Sequence, residues 1–267
     1  MKNIENMYKI KEFLNLLEEY APLSYSHRLI ERGDYDNSGI IVENHDSINK
    51  ILFTLDLSED AVNRALELGC DTVVTHHPAI YTPIKNLSVS GQTRALILAV
   101  KGGLNVISMH LNLDVAKSGV DYSLATLLGG KKQTILDTLG DGVGYGREFK
   151  IEPTTIDKFK QTIIKNFGTE KVIAYGNAPV SVVASFCGAG GSHALSVIDS
   201  GLTLVDTIVT SDLAHHQILA ILEKGKNLVI IPHYLAEEYG FNKFYEYCAK
   251  KVKDGANAYY FADKRFM

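Results

Sequence analysis

The stretch INKILFTLDLSEDAVNRALELGCDTVVT, residues 48–75, constrains the fold more tightly than any other part of the chain. Its opening apolar run, 48–57, reads as a buried strand. Ser58 then suits a helix N-cap, and Glu59 and Asp60 fall in the first turn, where the positive end of the helix dipole favours acids. Ala61, Ala65, Leu66 and Leu68 carry the apolar stripe, and Gly69 stands where a C-terminal cap belongs. Thr72–Thr75 is a β-branched second strand. A strand, a helix and a strand in this order almost always form a right-handed crossover between parallel strands.

The alternation continues along the chain. The spacing predicts a helix over 92–101 ended by Gly102-Gly103, a strand over 104–109, and a helix over 120–130. Before residue 48 it predicts an amphipathic helix from about Ile4 to Tyr20, stopped by Pro22, then a loop and a turn into a short strand at YDNSGIIVE, 35–43. The stretch 131–180 is less regular, with a glycine-rich loop or hairpin at 139–150 and a helix over 155–168. The strand 180–187 leads through a glycine turn into a helix. The strand TIVT follows, then a helix capped by Asp212, the strand NLVIIP, a final helix from Phe241 and a short last strand. The fold class is α/β with mostly parallel sheets.

Two halves of the chain match each other. DTVVTHH from Asp71 aligns with DTIVTSD from Asp206, and GLNVISMHLNLD aligns with GKNLVIIPHYLAE, so that His110–Asp114 and His233–Glu237 share one spacing. This is an internal duplication into two similar α/β halves, 1–130 and 131–267, separate or interleaved. Both copies send polar residues to the carboxyl ends of their strands, where open α/β sheets bind ligands.

Those ends are rich in imidazole. His76, His77, His110, His215, His216 and His233 all lie at a strand end or in the helix directly after one, and Asp114 and Glu237 add carboxylates. Nitrogen and oxygen donors of this kind suit Zn, Mn, Fe or Ni, and no cysteine stands beside the histidine motifs to make a thiolate site. Each piece has an ordinary reading. Paired histidines after a strand are often solvated, Asp114 can cap a turn, and exposure accounts for His215 and His216 as well as ligation does. The coincidence of several strand ends favours metal. His27 and His45 have no partner pattern, and His193 is open to either reading. The turn CGAGGS, 187–192, offers amides to an anion at Gly188, Gly190, Gly191 and Ser192, yet it lacks the lysine of a phosphate-binding loop and reads equally as a tight turn. There is no GxSxG elbow, and nothing marks a base for Cys187.

Charge excludes other classes. A net charge of -4 gives no reason to expect nucleic acid or an anionic membrane as partner. No apolar run reaches the roughly 18 to 20 residues of a membrane span. The charged N-terminal pattern is not a signal peptide. Three widely spaced cysteines, Cys70, Cys187 and Cys248, fit a reducing cytoplasm.

In order, YDNSG, LDLS, VVTHHP, HLNLD, GAGGS and HYLAEE resemble the NIF-three-like family of dinuclear-metal proteins, often labelled GTP cyclohydrolase I type 2. The resemblance runs from about Met7 to the C-terminus. Tyr35 stands where a tryptophan is expected, and Ser211-Asp212 where a Gly-Glu pair is usual. The resemblance implies two divalent ions held by His76, His77, Asp114, His233 and Glu237, with Glu237 and Asp114 as bridging carboxylates. His110, His215 and His216 then become pocket residues, His110 and His215 as proton carriers. It further implies a toroidal homohexamer and a metal-activated water attacking the purine ring of a nucleotide-like substrate. A non-catalytic metal-binding or regulatory scaffold, or a two-metal phosphoesterase, would use the same residues.

Overall fold

A computed structural model describes residues 8–201, 203–252 and 257–267. In chain order the first elements are β1 (Tyr8–Lys9), α1 (Ile10–Glu18), α2 (Leu23–Glu31), β2 (Gly39–Val42), β3 (Ser47–Ile48) and β4 (Lys50–Thr54). Then come α3 (Glu59–Leu68), β5 (Thr72–Thr75), α4 (Arg94–Lys101), β6 (Asn105–Ser108), α5 (Leu111–Asp114) and α6 (Val120–Leu127). The middle holds β7 (Gln133–Gly140), β8 (Val143–Thr154), α7 (Ile156–Phe167), β9 (Ile173–Tyr175), β10 (Val180–Ser185) and α8 (Gly191–Asp199). Last are β11 (Thr207–Thr210), α9 (His215–Glu223), β12 (Asn227–Ile230), α10 (His233–Lys251) and β13 (Asn257–Tyr260). The chain divides into two compact units, Met1–Leu113 with Phe241–Arg265, and Asp114–Gly240 with Phe266–Met267.

The first unit is built on a five-stranded sheet of order β13-β4-β5-β6-β2, parallel except at the β2 edge. Every residue of the central strand β5 is buried, which is why TVVT carries no alternation: both faces of a parallel sheet are covered. On one face Leu52, Val73 and Val106 meet Ala61, Val62 and Ala65 of α3 and Ala99 of α4. Small residues on α3 let the helix lie close to the sheet. Ser58 accepts the Ala61 N–H at 3.2 Å, and Gly69 adopts φ +65° at the C-cap. Elsewhere Phe53 meets Phe241 and Phe244 of α10 with ring centroids 6.4 and 6.0 Å apart.

The second unit carries a six-stranded sheet of order β7-β8-β10-β11-β12-β9, in which β10, β11 and β12 are parallel. Its middle repeats the first unit's design in detail. Asp71 Oδ2 accepts the N–H groups of Asn49 and Lys50 at 2.9 and 3.1 Å, and Asp206 Oδ2 accepts those of Ser181 and Val182 at 2.9 and 2.8 Å. Asn105 Oδ1 accepts the Asn44 N–H at 2.8 Å, and Asn227 Oδ1 accepts the Ala178 N–H at 3.1 Å. The ladders leave the strands alike, Met109 N–H to Thr75 O at 2.9 Å and Ile231 N–H to Thr210 O at 3.0 Å. The aspartate and the asparagine each close a strand's amino end, so the matching residues of the two halves do the same structural work.

Three local expectations are corrected. Helix α1 starts at Ile10 rather than near Ile4, because Tyr8–Lys9 pairs with β3; residues 1–7 lie outside the described residues. Pro22 starts a helix as well as stopping one: its φ of -53° opens α2, where a loop was expected. Asp212 does not cap α9. That helix begins at His215, and Gln217 Oε1 takes the Ala214 N–H at 2.9 Å in place of a carboxylate cap. Among the described residues, no helix is long and apolar enough to cross a membrane.

Candidate metal centre

In the first unit the strand ends bring three histidines together. His76 and His77 follow β5, and both N–H groups turn back to Leu55 O at 3.1 and 3.0 Å, so the pair leaves the strand geometry that would send its rings to opposite faces. His110 follows β6. Ring centroids lie 5.0 Å apart for His76 and His77, 5.3 Å for His76 and His110, and 5.7 Å for His77 and His110. One nitrogen from each ring lies within 4.8 Å of the others.

Each ring is fixed through Nδ1. His76 Nδ1 is 2.8 Å from Met109 O, His77 Nδ1 is 2.7 Å from Asp56 Oδ1, and His110 Nδ1 is 2.7 Å from Asp36 Oδ1. A carbonyl or an ionised carboxylate can only accept, so the proton belongs on Nδ1 and the lone pair on Nε2. Asp36 is itself held. Burial works to raise its pKa, but hydrogen bonds from His110 and Ser38 outweigh burial and keep the carboxyl below its ordinary value. The Ser38 hydroxyl donates to Asp36 at 2.7 Å and accepts the His110 N–H at 3.0 Å, and the Ser26 hydroxyl also reaches Asp36.

The second unit, by itself, groups two carboxylates with an imidazole. His233 opens α10, and Glu237 stands one turn on, its Oε1 3.0 Å from His233 Nε2. His233 Nδ1 is 2.6 Å from Asp212 Oδ2. This is where the expected cap residue goes: Asp212 turns a histidine instead of a helix end. Asp114 and Glu237 are 5% and 2% exposed, and each offers a carboxylate oxygen within 4.8 Å of the other. Two buried carboxyl groups this close can share a proton or hold a cation between them. The Cys187 thiol donates to Asp114 Oδ1 at 3.4 Å, and burial first, then the nearby acids, push its pKa well up.

The glycine turn lies against this carboxylate. Gly188 has φ +60°, and a Cβ there would stand 2.8 Å from Glu237 Oε1. A Cβ on Gly190 would meet Phe186 Cβ at 2.2 Å, and the Gly190 N–H is taken by Thr210 Oγ1 at 3.1 Å. Ser192 Oγ accepts from Gln217 at 3.0 Å. Close packing therefore accounts for the glycines. His215 and His216 sit exposed at the start of α9 and join none of the ligand groups found among the described residues. His45 is structural: its ring nitrogens meet Gly103 O at 3.0 Å and Asn105 Nδ2 at 3.4 Å.

The donor set fits divalent metal. Four strand-end histidines, His76, His77, His110 and His233, each set Nδ1 on a carbonyl or carboxylate oxygen, which is how metal-binding imidazoles are oriented, and His233 Nε2 faces Glu237 Oε1 at 3.0 Å. The anchors Asp36, Asp56 and Asp212 are the residues that sequence reasoning missed. They sit inside YDNSG, LDLS and TSD, motifs whose spacing alone gives no ligand pattern. Asp212→Ala is expected to lower metal affinity about 10- to 100-fold while leaving the fold intact, read by competition titration against a chromophoric chelator.

The fold and these strand ends define an α/β protein with imidazole and carboxylate groups able to hold metal ions. A sequence model of the Duf34/NIF3 (NGG1p interacting factor 3) family matches residues 8–264, and the chain belongs to that family. It is 28% identical over 235 residues to a GTP cyclohydrolase 1 type 2 homolog of Clostridium perfringens, covering 86% of this chain and 87% of the relative. It is 26% identical over 256 residues to NIF3-like protein 1 of Drosophila melanogaster, covering 92% of this chain and 84% of that protein. The crystal structure of a Staphylococcus aureus hypothetical protein shares the fold, with a TM-score of 0.83 at 22% identity over 96% of each chain.

Proposed function

We propose that the protein is a hydrolase that acts on a nucleotide-like substrate with two divalent ions, held by His76, His77, Asp114, His233 and Glu237. The observation that carries this reading is the common anchoring of four histidines through Nδ1, at 2.8 Å or less, onto a carbonyl or carboxylates. Such anchoring costs side-chain freedom at four separate places and fixes where Nε2 points, as a ligand atom on His76, His77 and His233 and as a proton carrier on His110. The substrate class comes from the relative named as a GTP cyclohydrolase 1 type 2 homolog.

Bound there, the metal pair would supply Lewis acidity and a water made acidic enough to ionise near neutral pH. The chain's own residues do the rest. Asp36 keeps the His110 ring turned so that Nε2 can take or return a proton beside the histidine pair. The Cys187 thiol and the Gly188 turn confine Asp114 and Glu237, limiting the directions in which their oxygens point. In this reading water adds at C8 of the purine and the C8–N9 bond breaks, N9 taking the proton that the water gives up, which leaves a ring-opened formamide. The protein works as a ring of six copies, for which the NIF-three-like resemblance is the support, and in the cytoplasm, which its three widely spaced cysteines favour.

The test is direct. Metal-loaded protein incubated with GTP is expected to give a ring-opened product by chromatography and mass, to stop on chelation, and to resume when Zn, Mn, Fe or Ni is restored. Phosphate release without ring opening would replace this reading by a phosphoesterase. Bound metal with no turnover on any nucleotide would leave a metal-binding scaffold.

A further inference from the structure

We propose that Tyr35 and Tyr81 form the seat for the planar heteroaromatic ring of the substrate; this rests on the nucleotide-like substrate proposed above. The two rings lie on the loops that set the histidine trio. Tyr35 immediately precedes Asp36, the anchor of His110, and Tyr81 follows His77 by four residues. Their ring centroids are 5.1 Å apart at 71°, and the Tyr81 ring stands edge-to-face on His110, 6.0 Å away at 89°.

An exposed tyrosine is ordinary on its own, because folded proteins leave much apolar surface in water. Two features separate this pair from scattered surface residues. Tyr35 and Tyr81 are 47% and 48% exposed as residues although each ring touches another, so both keep surface open to a ligand. They are also held in place. Asn37 Nδ2 donates to Ile80 O at 2.6 Å, tying the Tyr35 loop to the Tyr81 loop, and the Tyr81 hydroxyl reaches Tyr35 O at 3.4 Å. Rigid aromatic area gives binding at little entropic cost, since few rotamers remain to be frozen. A purine offers the matching surface, an extended π-face that stacks on tyrosine whatever its ring substituents. The edge contact to His110 places that ring next to the imidazole assigned to proton transfer.

The test reads binding, so it does not need turnover. Metal-loaded protein is titrated calorimetrically with GMP and with ribose 5-phosphate, which keeps the sugar and phosphate but lacks the ring. Wild type is expected to bind GMP at least about fivefold more tightly than ribose 5-phosphate, the lower range of one base stacked on an aromatic residue. Tyr81→Ala and Tyr35→Ala should each move GMP affinity toward that of ribose 5-phosphate, with metal content and circular dichroism unchanged. Tyr81→Phe and Tyr35→Phe keep the π-face and should keep the affinity. Alanine variants that bind GMP as wild type does, or a wild type that fails to prefer GMP over ribose 5-phosphate, overturn the assignment. Preference for GMP without any ring opening would instead remove the hydrolase reading and leave the aromatic seat standing.

Discussion

His76→Ala is expected to release metal and abolish turnover together. His76 is fully buried, with Nδ1 held on Met109 O at 2.8 Å, so water has no ready route to replace the missing nitrogen. Loss of an anchor behind a ligand typically costs 10- to 100-fold in affinity, so loss of the ligand itself should exceed about 100-fold. The measurement is metal content after desalting, with GTP turnover on the same samples. Removing a buried ring also leaves a cavity, so His76→Gln, closer in volume, is measured beside it with thermal unfolding as the fold check. His45→Ala is the control, since that ring bonds Gly103 and Asn105 and is expected to retain full metal. Full metal retained in both His76 variants would remove His76 from the ligand set.

Much of this was legible in the sequence because it follows from local rules. Ser58 and Gly69 bound α3, and the buried TVVT and TIVT strands declare a parallel sheet through their lack of alternation. The likeness of DTVVT and DTIVT has a local structural counterpart, because Asp71 and Asp206 each close a strand end by accepting two backbone N–H groups. What stayed hidden depends on distance along the chain. Asp36 reaches His110 across 74 residues and Asp56 reaches His77 across 21, so no helical or strand period could pair them. Asp212 misled for a different reason. An aspartate near a helix start favours the cap by propensity, and the stronger interaction, with His233, lies on the next strand end and becomes visible only once β11 and β12 are side by side. Pro22 shows the limit of a breaker signal: the same fixed φ that ends one helix is suited to begin another.

Arg147→Met is expected to destabilise the protein by about 3 to 5 kcal/mol near pH 8, the usual result of removing one partner from a buried ion pair. Arg147 on β8 is buried, with Nε 3.3 Å from Asp121 Oδ2 and Nη2 donating to Gly144 O at 3.2 Å. Asp121, in the first turn of α6, also accepts the Cys187 N–H at 3.1 Å, so the pair braces the strand end that leads into the glycine turn. Burial pushes the Asp121 pKa up to about 7, while Arg147 and the backbone N–H groups of Cys187 and Gly146 pull it down and Asp114 adds to the rise. A folded pKa above the unfolded one means that the native state binds more protons between the two values. Stability from this group is therefore full below about pH 4 and is lost as pH rises toward 7. Removing Arg147 takes away the largest influence holding the value down, so the loss extends to higher pH in the variant. Urea unfolding at pH 5.5 and pH 8.5 should show a clearly larger deficit at the higher pH. The double variant Asp121→Asn, Arg147→Met carries no charge at the site and loses no stability there as pH rises, so its deficit against wild type should be smaller at pH 8.5 than at pH 5.5. A single-variant deficit that is the same at both pH values would mean that Asp121 is not the group left exposed to the loss, and that Arg147 acts through its packing and its bond to Gly144 instead.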